Sequence, residues 1–341
     1  TEDDSARAVA VDGGGLIFVA GALETESNDD AWLRVLDHDA GIVAESAVDL
    51  GDDEVATSIV ITSGGAFVAG VQPDQDRALL MHVEVSELVP IDGAPEDIAT
   101  FTSLVSPTAE GFAFITNSGG FDSLAATVRR FSPDGQIMGD VGQPPGVFVG
   151  TAIGSPDGGT ILAGGSFGGM GMGGTTWISG IGVDASPLWE SSTLVDPGIQ
   201  LRIRSIAIAS DGSIVGVGTR GEGGGPMNDN ETGWVWWWTA DGVALSEGPL
   251  EIGGASARPN AVVVGTHGLV VGGTLVTYDD GFVAGLALDG ELQWGYEVVG
   301  DAGLEDRVAA LALAPGVGVV AAGTITQYET GEDAWVALFT E

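Results

Sequence analysis

The chain contains no cysteine and no lysine, which is unusual in 341 residues. Without cysteine there can be no disulfide, no thiolate metal ligand and no thiol nucleophile, and the redox compartment leaves no mark on the composition. Without lysine, the ten basic residues are all arginine, set against 49 acidic ones for a formal net charge of −39. A surface this negative repels nucleic acid and anionic membranes, so nucleic-acid binding is excluded as a function class. Long apolar runs are missing too: no stretch reaches the roughly 18 residues that span a bilayer. No segment of useful length places its apolar residues at helical spacing. The opening residues, Thr1-Glu2-Asp3-Asp4-Ser5, have none of the features of a signal peptide. Such acidity suits a protein of salty surroundings or a secreted acidic protein, and composition does not separate the two.

What is present in quantity is glycine, at 57 positions, and it punctuates a repeat. The clearest landmark is an apolar strand ending in a small residue, Leu16-Ile17-Phe18-Val19-Ala20-Gly21, with counterparts ending at Gly70, Ser118, Gly165, Gly218, Gly273 and Gly323. Successive spacings are 49, 48, 47, 53, 55 and 50 residues. Each copy opens with a strand of small and β-branched residues, such as Arg7-Ala8-Val9-Ala10-Val11. A tight turn (Asp12-Gly13-Gly14), the landmark strand and a longer variable loop follow. A third strand then opens with an aromatic, and a second tight turn (Asp241-Gly242, Asp289-Gly290) leads into a less apolar fourth strand. Four short strands per unit, joined by glycine-containing hairpins, make the pattern of a propeller blade. A β-solenoid, the competing architecture, has shorter coils and does not alternate tight hairpins with one long loop.

The expectation is therefore an all-β chain: a single seven-bladed β-propeller domain over residues 1–341. Its four-stranded blades fall at about 5–51, 52–95, 96–144, 145–198, 199–253, 254–301 and 302–341. The last copy supplies three strands and stops at Phe339-Thr340-Glu341, and only a few residues precede the first inner strand. The seventh blade is either three-stranded or completed from outside this chain. An open edge of that kind is a docking candidate for another strand. Trp32, Trp177, Trp234, Phe282 and Trp335 recur at one position of the third strand, which predicts packing between neighbouring blades rather than ligand stacking. In the fifth copy, alternation puts Trp234, Trp236 and Trp238 on one face and Trp237 on the other.

The repeat, carried by Ala8 to Gly21, Asp30-Ala31-Trp32, Ala310 to Gly323, Asp333-Ala334-Trp335 and Asp289 to Trp294, resembles the propeller repeats of bacterial secreted and surface proteins. It is similar to the delta-60 type repeat and more distantly to pyrroloquinoline-quinone-type repeats. The resemblance implies an extracellular or cell-envelope protein of no general activity. The chain departs from the quinone enzymes in lacking their large extra loops and cysteines, so no quinone cofactor is expected.

In such a ring the long, variable loops between second and third strands share a face with the starts of the inner strands, and binding sites sit on variable loops held by a rigid scaffold. Five of the ten arginines fall at these inner-strand starts. Aligned on the landmarks, Arg7 and Arg204 are equivalent, and Arg202, Arg258 and Arg307 lie one or two residues earlier in their copies. They belong to copies one, five, six and seven, contiguous around the ring, and predict a ligand-binding channel rim for carboxylate or another anion. The competing reading is local neutralisation by Glu305, Asp306, Asp52, Asp53 and Glu54, and the surplus of carboxylates favours it. Oxygen-rich loops suit Ca²⁺. The leading metal candidate is Asn228, Asp229, Asn230 and Glu231 in the longest loop, followed by Asn28-Asp29-Asp30 and Asp74-x-Asp76, all without calcium-loop spacing. His38, His82 and His267 fall in different copies, Gly168 to Gly174 lacks the lysine and helix of a phosphate loop, and Tyr278, Tyr296 and Tyr328 form no nucleophile constellation. Ser155-Pro156-Asp157-Gly158-Gly159-Thr160 only loosely echoes the turn motif of sialidases.

The functional expectation is thus a non-enzymatic extracellular or cell-surface scaffold that binds a protein or glycan partner on its long-loop face or at the open last blade. The alternative is a lectin or carbohydrate-active enzyme using the arginine-flanked channel mouth.

Overall fold

The computed structural model describes the chain apart from residues 1–2, 26, 85–86, 92–99, 119–124, 143–147, 167–174, 195, 197–198, 223–230, 277–278, 289, 299–303, 329–330 and 341. The described residues form seven antiparallel sheets in which the strands follow one another in chain order. Blade 1 runs Asp4–Val11, Ile17–Glu24, Asp29–Leu36 and Ile42–Val48 from axis to rim. The inner strands of the other blades are Val55–Thr62, Thr100–Thr108, Phe148–Gly154, Ile199–Ile208, Ala255–Val264 and Arg307–Ala314. Each inner strand packs against the inner strands of the two flanking blades, and the last packs on the first, so the ring closes. No described helix is long and apolar enough to cross a membrane.

The core lies between the blades. Every neighbouring pair shares its own cluster of buried side chains, including blades 7 and 1, where Val9, Val19 and Trp32 meet Val320 and Ala322. The recurring aromatic of the third strand is part of this packing, as expected. Trp236 and Trp238 stack at 6.5 Å between blades 4 and 5, and Trp237 turns to the interface of blades 5 and 6. Alternation along a strand sends neighbouring residues to opposite faces, so three consecutive tryptophans serve two interfaces.

A β-bulge recurs in the inner strands and explains the landmark glycine. In blade 1 the register slips between Ala6 and Ala8, leaving Arg7 as the extra residue. The same slip leaves Thr57, Gly150, Arg204, Asn260 and Ala309 as the extra residues of their strands. A bulge bends the chain and re-aims the side chain at its apex. It also presses the carbonyl two residues earlier against the second strand: a Cβ at Gly21, Gly218, Gly273 or Gly323 would fall on the carbonyl oxygen of Ser5, Arg202, Arg258 or Arg307. Only glycine allows that approach. In blade 4 this position belongs to Gly164, one residue before the Gly165 chosen from the sequence.

The seventh blade has three strands, Arg307–Ala314, Gly318–Gln327 and Gly331–Phe339. Its third strand is half-buried along nearly all its length, whereas the equivalent Gly281–Leu286 of blade 6, covered by Leu292–Val298, is buried throughout. Blades 7 and 1 are also joined through Asp3, whose carboxylate accepts the Glu332 N–H at 2.9 Å, while Glu24 donates its N–H to the Asp3 carbonyl at 3.1 Å.

Candidate functional site

The inner-strand starts of blades 5, 6, 7 and 1 bring the predicted arginines together. Arg202, Arg258 and Arg307 take equivalent places, each opposite the threonine that follows the landmark glycine: Thr219, Thr274 and Thr324. Arg7 and Arg204 are the apex residues of two bulges, as the landmark spacing predicts. The five charges act on one another. Burial holds the Arg204 guanidinium below its ordinary value, Glu231 opposes this, and Arg202, Arg258 and Arg307 push it lower. Arg7 is lowered chiefly by burial and then by Arg307, while Asp29 and Glu332 pull it back. Arg307 thus acts on both Arg7 and Arg204. All five remain charged, because a guanidinium does not lose its proton in a protein.

Among the described residues, Glu231 reaches two of these arginines, its oxygens lying 3.9 Å from Arg202 Nη1 and 3.7 Å from Arg204 Nη2. Its side chain is 11% exposed, against 31% and 37% for the two arginine side chains. Of the carboxylates named from the sequence as neutralisers, Asp52 is engaged by Gln75, Asp53 accepts the Asp29 N–H at 3.0 Å, and Asp306 accepts the Thr326 N–H at 2.8 Å. Glu54 faces other carboxylates. Among the described residues, the Nε groups of Arg258 and Arg307 are buried without a hydrogen-bond partner. A buried unsatisfied donor costs about 1–3 kcal/mol, more when charged. Two such groups at one rim, beside three more guanidinium groups, are an arrangement that packing alone does not require.

Asn260 completes the rim. It is the apex residue of the blade 6 bulge, equivalent to Arg7 and Arg204; its Oδ1 accepts from Arg204 Nη1 at 2.9 Å and its Nδ2 donates to the Val308 carbonyl at 3.0 Å. Its place is not legible from spacing, since it stands 13 residues before Gly273 where Arg7 and Arg204 stand 14 before Gly21 and Gly218. Glu231 was read as a metal ligand instead. Its true signal is an acidic residue two or three positions before the third-strand aromatic, as in Asp30 before Trp32, Asp280 before Phe282 and Asp333 before Trp335.

Asn228, Asp229 and Asn230 lie outside the described residues, and Glu231 already has its counter-charge in Arg202 and Arg204. In the second metal candidate, Asn28 donates to Asp30 Oδ1 at 3.1 Å, and Asp30 joins Asp49 and Glu54 in a carboxylate group on the far side of blade 1. Asp76 closes a short 3-10 turn over Pro73–Gln75. His38 sits 3.3 Å from Asp39 on the surface and His82 stacks on Phe67 at 4.6 Å, so neither joins the rim. Tyr296 and Tyr328 are exposed on different blades, and Tyr278 and Gly168 to Gly174 are outside the described residues.

No protein-family model matches this chain, and no curated protein does. Solved structures do. A polysaccharide lyase, Uly1, superposes with a TM-score of 0.60 at 8% identity, covering 98% of this chain and 89% of its own. The β-propeller domain of Cps50 (Swd1) from Myceliophteria thermophila gives 0.57 at 9% identity over 98% and 96%. Sqt1 from Chaetomium thermophilum, bound to the N-terminus of a ribosomal protein, gives 0.53 at 14% identity over 94% and 82%. A lyase, a Swd1 domain and a peptide-bound protein on one scaffold share no activity with one another, and at these identities the likeness shows the fold alone: the chain is a seven-bladed β-propeller.

Proposed function

We propose that this propeller is a non-enzymatic binding scaffold whose arginine rim receives an acidic segment of a partner protein. The observation that carries the reading is the gathering of half the chain's positive charge, Arg7, Arg202, Arg204, Arg258 and Arg307, on one arc of the channel mouth with Glu231 as its close carboxylate. Guanidinium forks bind carboxylates bidentately. A net charge of −39 repels acidic ligands everywhere else, so the rim is where such a segment would be held. The Sqt1 complex supports the same use of the scaffold, in that a propeller of this shape holds a peptide terminus. A secreted or envelope location belongs to the same proposal and is supported by the repeat resemblance. The half-buried third strand of blade 7, which has no fourth strand beside it among the described residues, would give this scaffold a second surface for an extended segment.

The test is fluorescence anisotropy with a labelled ten-residue polyglutamate peptide, a matched neutral peptide and polygalacturonate. Binding of the acidic peptide that is lost in Arg204→Gln/Arg258→Gln supports the proposal. No binding, or equal binding by the variant, overturns it. Binding of the polyuronate alone transfers the site to the carbohydrate alternative.

A further inference from the structure

The rim has a negative counterpart at the junction of blades 1 and 2. Asp30 stands in the third strand of blade 1, Asp49 just beyond its outer strand, and Glu54 immediately before the inner strand of blade 2. One carboxylate oxygen of each lies within 4.8 Å of those of the other two. Ca²⁺ takes oxygens at 2.3–2.6 Å, so two ligands of one ion can be no more than about 5 Å apart. All three carboxylates meet that limit at once. None is ion-paired among the described residues. Glu54 is fully buried, where a carboxylate that has hydrogen bonds but no counter-charge is expensive.

A fourth group points to what occupies this place. Gln72 ends the second strand of blade 2 and is 1% exposed. Its Nε2 donates to Glu54 Oε1 at 2.7 Å, which fixes the amide against the carboxylates. The Oε1 of the same amide is buried and accepts no hydrogen bond. A neutral oxygen without a donor, on an amide bonded to one of three clustered carboxylates, lacks the one thing a cation supplies. Glu54 accepts the Leu50 N–H on Oε2, Gln72 Nε2 on Oε1 and a further backbone N–H from Asp52, and the roughly four acceptor positions of a carboxylate still leave room for an ion.

We infer that Asp30, Asp49, Glu54 and Gln72 form a Ca²⁺ site that clamps blade 1 to blade 2. The ligands are hard oxygens, and no imidazole or thiolate is among them, which selects Ca²⁺ over transition metals. Three carboxylates plus one amide oxygen leave two or more positions for water. Bound ion would tie the crossing segment 49–54 to the third strand of one blade and the second strand of the next. That segment also carries Asp53, whose carboxylate holds the backbone of Asp29 at 3.0 Å. In the absence of an ion, burial holds the carboxyls of Asp30 and Glu54 above their ordinary values, with Asp49 and Asp30 respectively adding repulsion.

The test is calorimetric titration of the chelator-treated chain with CaCl₂, and with MgCl₂ at equal ionic strength, beside thermal denaturation in each. The expected result is one saturable Ca²⁺ site and a rise in Tm that Mg²⁺ does not match. Asp49→Asn, at an exposed position, should weaken Ca²⁺ at least tenfold and abolish the rise. Without Ca²⁺ it should melt no lower than the parent, because it removes a repulsion. Asp134→Asn, in a remote tight turn, should change neither. An absence of saturable Ca²⁺ heat, equal loss in the two variants, or an Asp49→Asn penalty that is the same with and without Ca²⁺ would overturn the assignment.

Discussion

Two arcs of one rim carry opposite charge on the same backbone. In blades 5, 6, 7 and 1 the inner-strand starts present Arg202, Arg204, Arg258, Arg307 and Arg7; at the start of blade 2 the corresponding stretch presents Glu54, backed by Asp30 and Asp49. The framework beneath is common to both, since the bulge that leaves Arg7 or Arg204 at its apex leaves Thr57 in blade 2. The strand start is therefore a variable slot on a fixed scaffold. Arginine is concentrated on the first arc, with Glu231 and Asp306 set among it, and carboxylates gather on the second. The positive arc is proposed to meet a carboxylate ligand, and the negative arc a cation.

The largest expected effect breaks the framework under the positive arc. Gly218→Val places a branched side chain where the Arg202 carbonyl lies, so the bulge of blade 5 cannot form. The loss should be about 3 kcal/mol or more in denaturant unfolding, with anion binding lost too. Trp236→Ala, which empties a buried place between blades 4 and 5 without touching the rim, should cost about 3–5 kcal/mol and spare binding in whatever remains folded.

A charge-only change separates the arcs more finely. Arg204→Gln/Arg258→Gln should lower acidic-peptide affinity at least tenfold by anisotropy, while leaving Tm unchanged or raising it through relief of mutual repulsion. Arg129→Gln removes an arginine outside the rim, paired with Asp140 at 2.6 Å and partly exposed. It should shift stability by no more than about 1 kcal/mol and leave peptide affinity untouched.

Titration sharpens the negative arc. Asp29, Asp30 and Glu54 have folded pKa values raised chiefly by burial, so the folded chain binds protons that the unfolded chain does not. Stability should rise as pH falls from neutral toward the ordinary values of 3.8 for Asp30 and 4.5 for Glu54. Asp140, lowered by its bond to Arg129, and Asp157, lowered by its turn hydrogen bonds, work in the other direction. They hold stability above 3.8 that is lost as pH falls through their depressed values. Chelator-treated protein should therefore be most stable at mildly acidic pH, and Asp49→Asn should flatten the limb between that maximum and neutrality. A stability maximum at or above neutral pH in the chelator-treated chain would contradict the reading.

The fold was legible because a propeller repeats its local rules: glycine turns and small inner strands recur around the ring, and an aromatic recurs at one third-strand position in five of the seven blades. The shared register of Arg202 and Arg307 could be read from their equal offsets to Gly218 and Gly323, whereas Arg258 stands one residue nearer Gly273 and joins them only through its pairing with Thr274. In blade 4 the adjacent Gly164 and Gly165 hid which glycine faces the inner strand, since composition cannot tell them apart. Asn260 escaped because its role comes from the apex of a bulge, and no residue type announces a bulge. Asp49 and Gln72 lie far in sequence from Asp30 and from one another, so only the packing of blade 1 on blade 2 brings them together.

The central claim, that the arginine arc is a receptor for carboxylate, is tested most directly by a salt titration of polyglutamate binding. Parent and Arg204→Gln/Arg258→Gln proteins are compared by anisotropy as sodium chloride rises. The parent should bind far more tightly at low salt, and the two curves should converge as the charges are screened. Curves that run parallel at every salt concentration, or a parent that fails to bind at low salt, would contradict it.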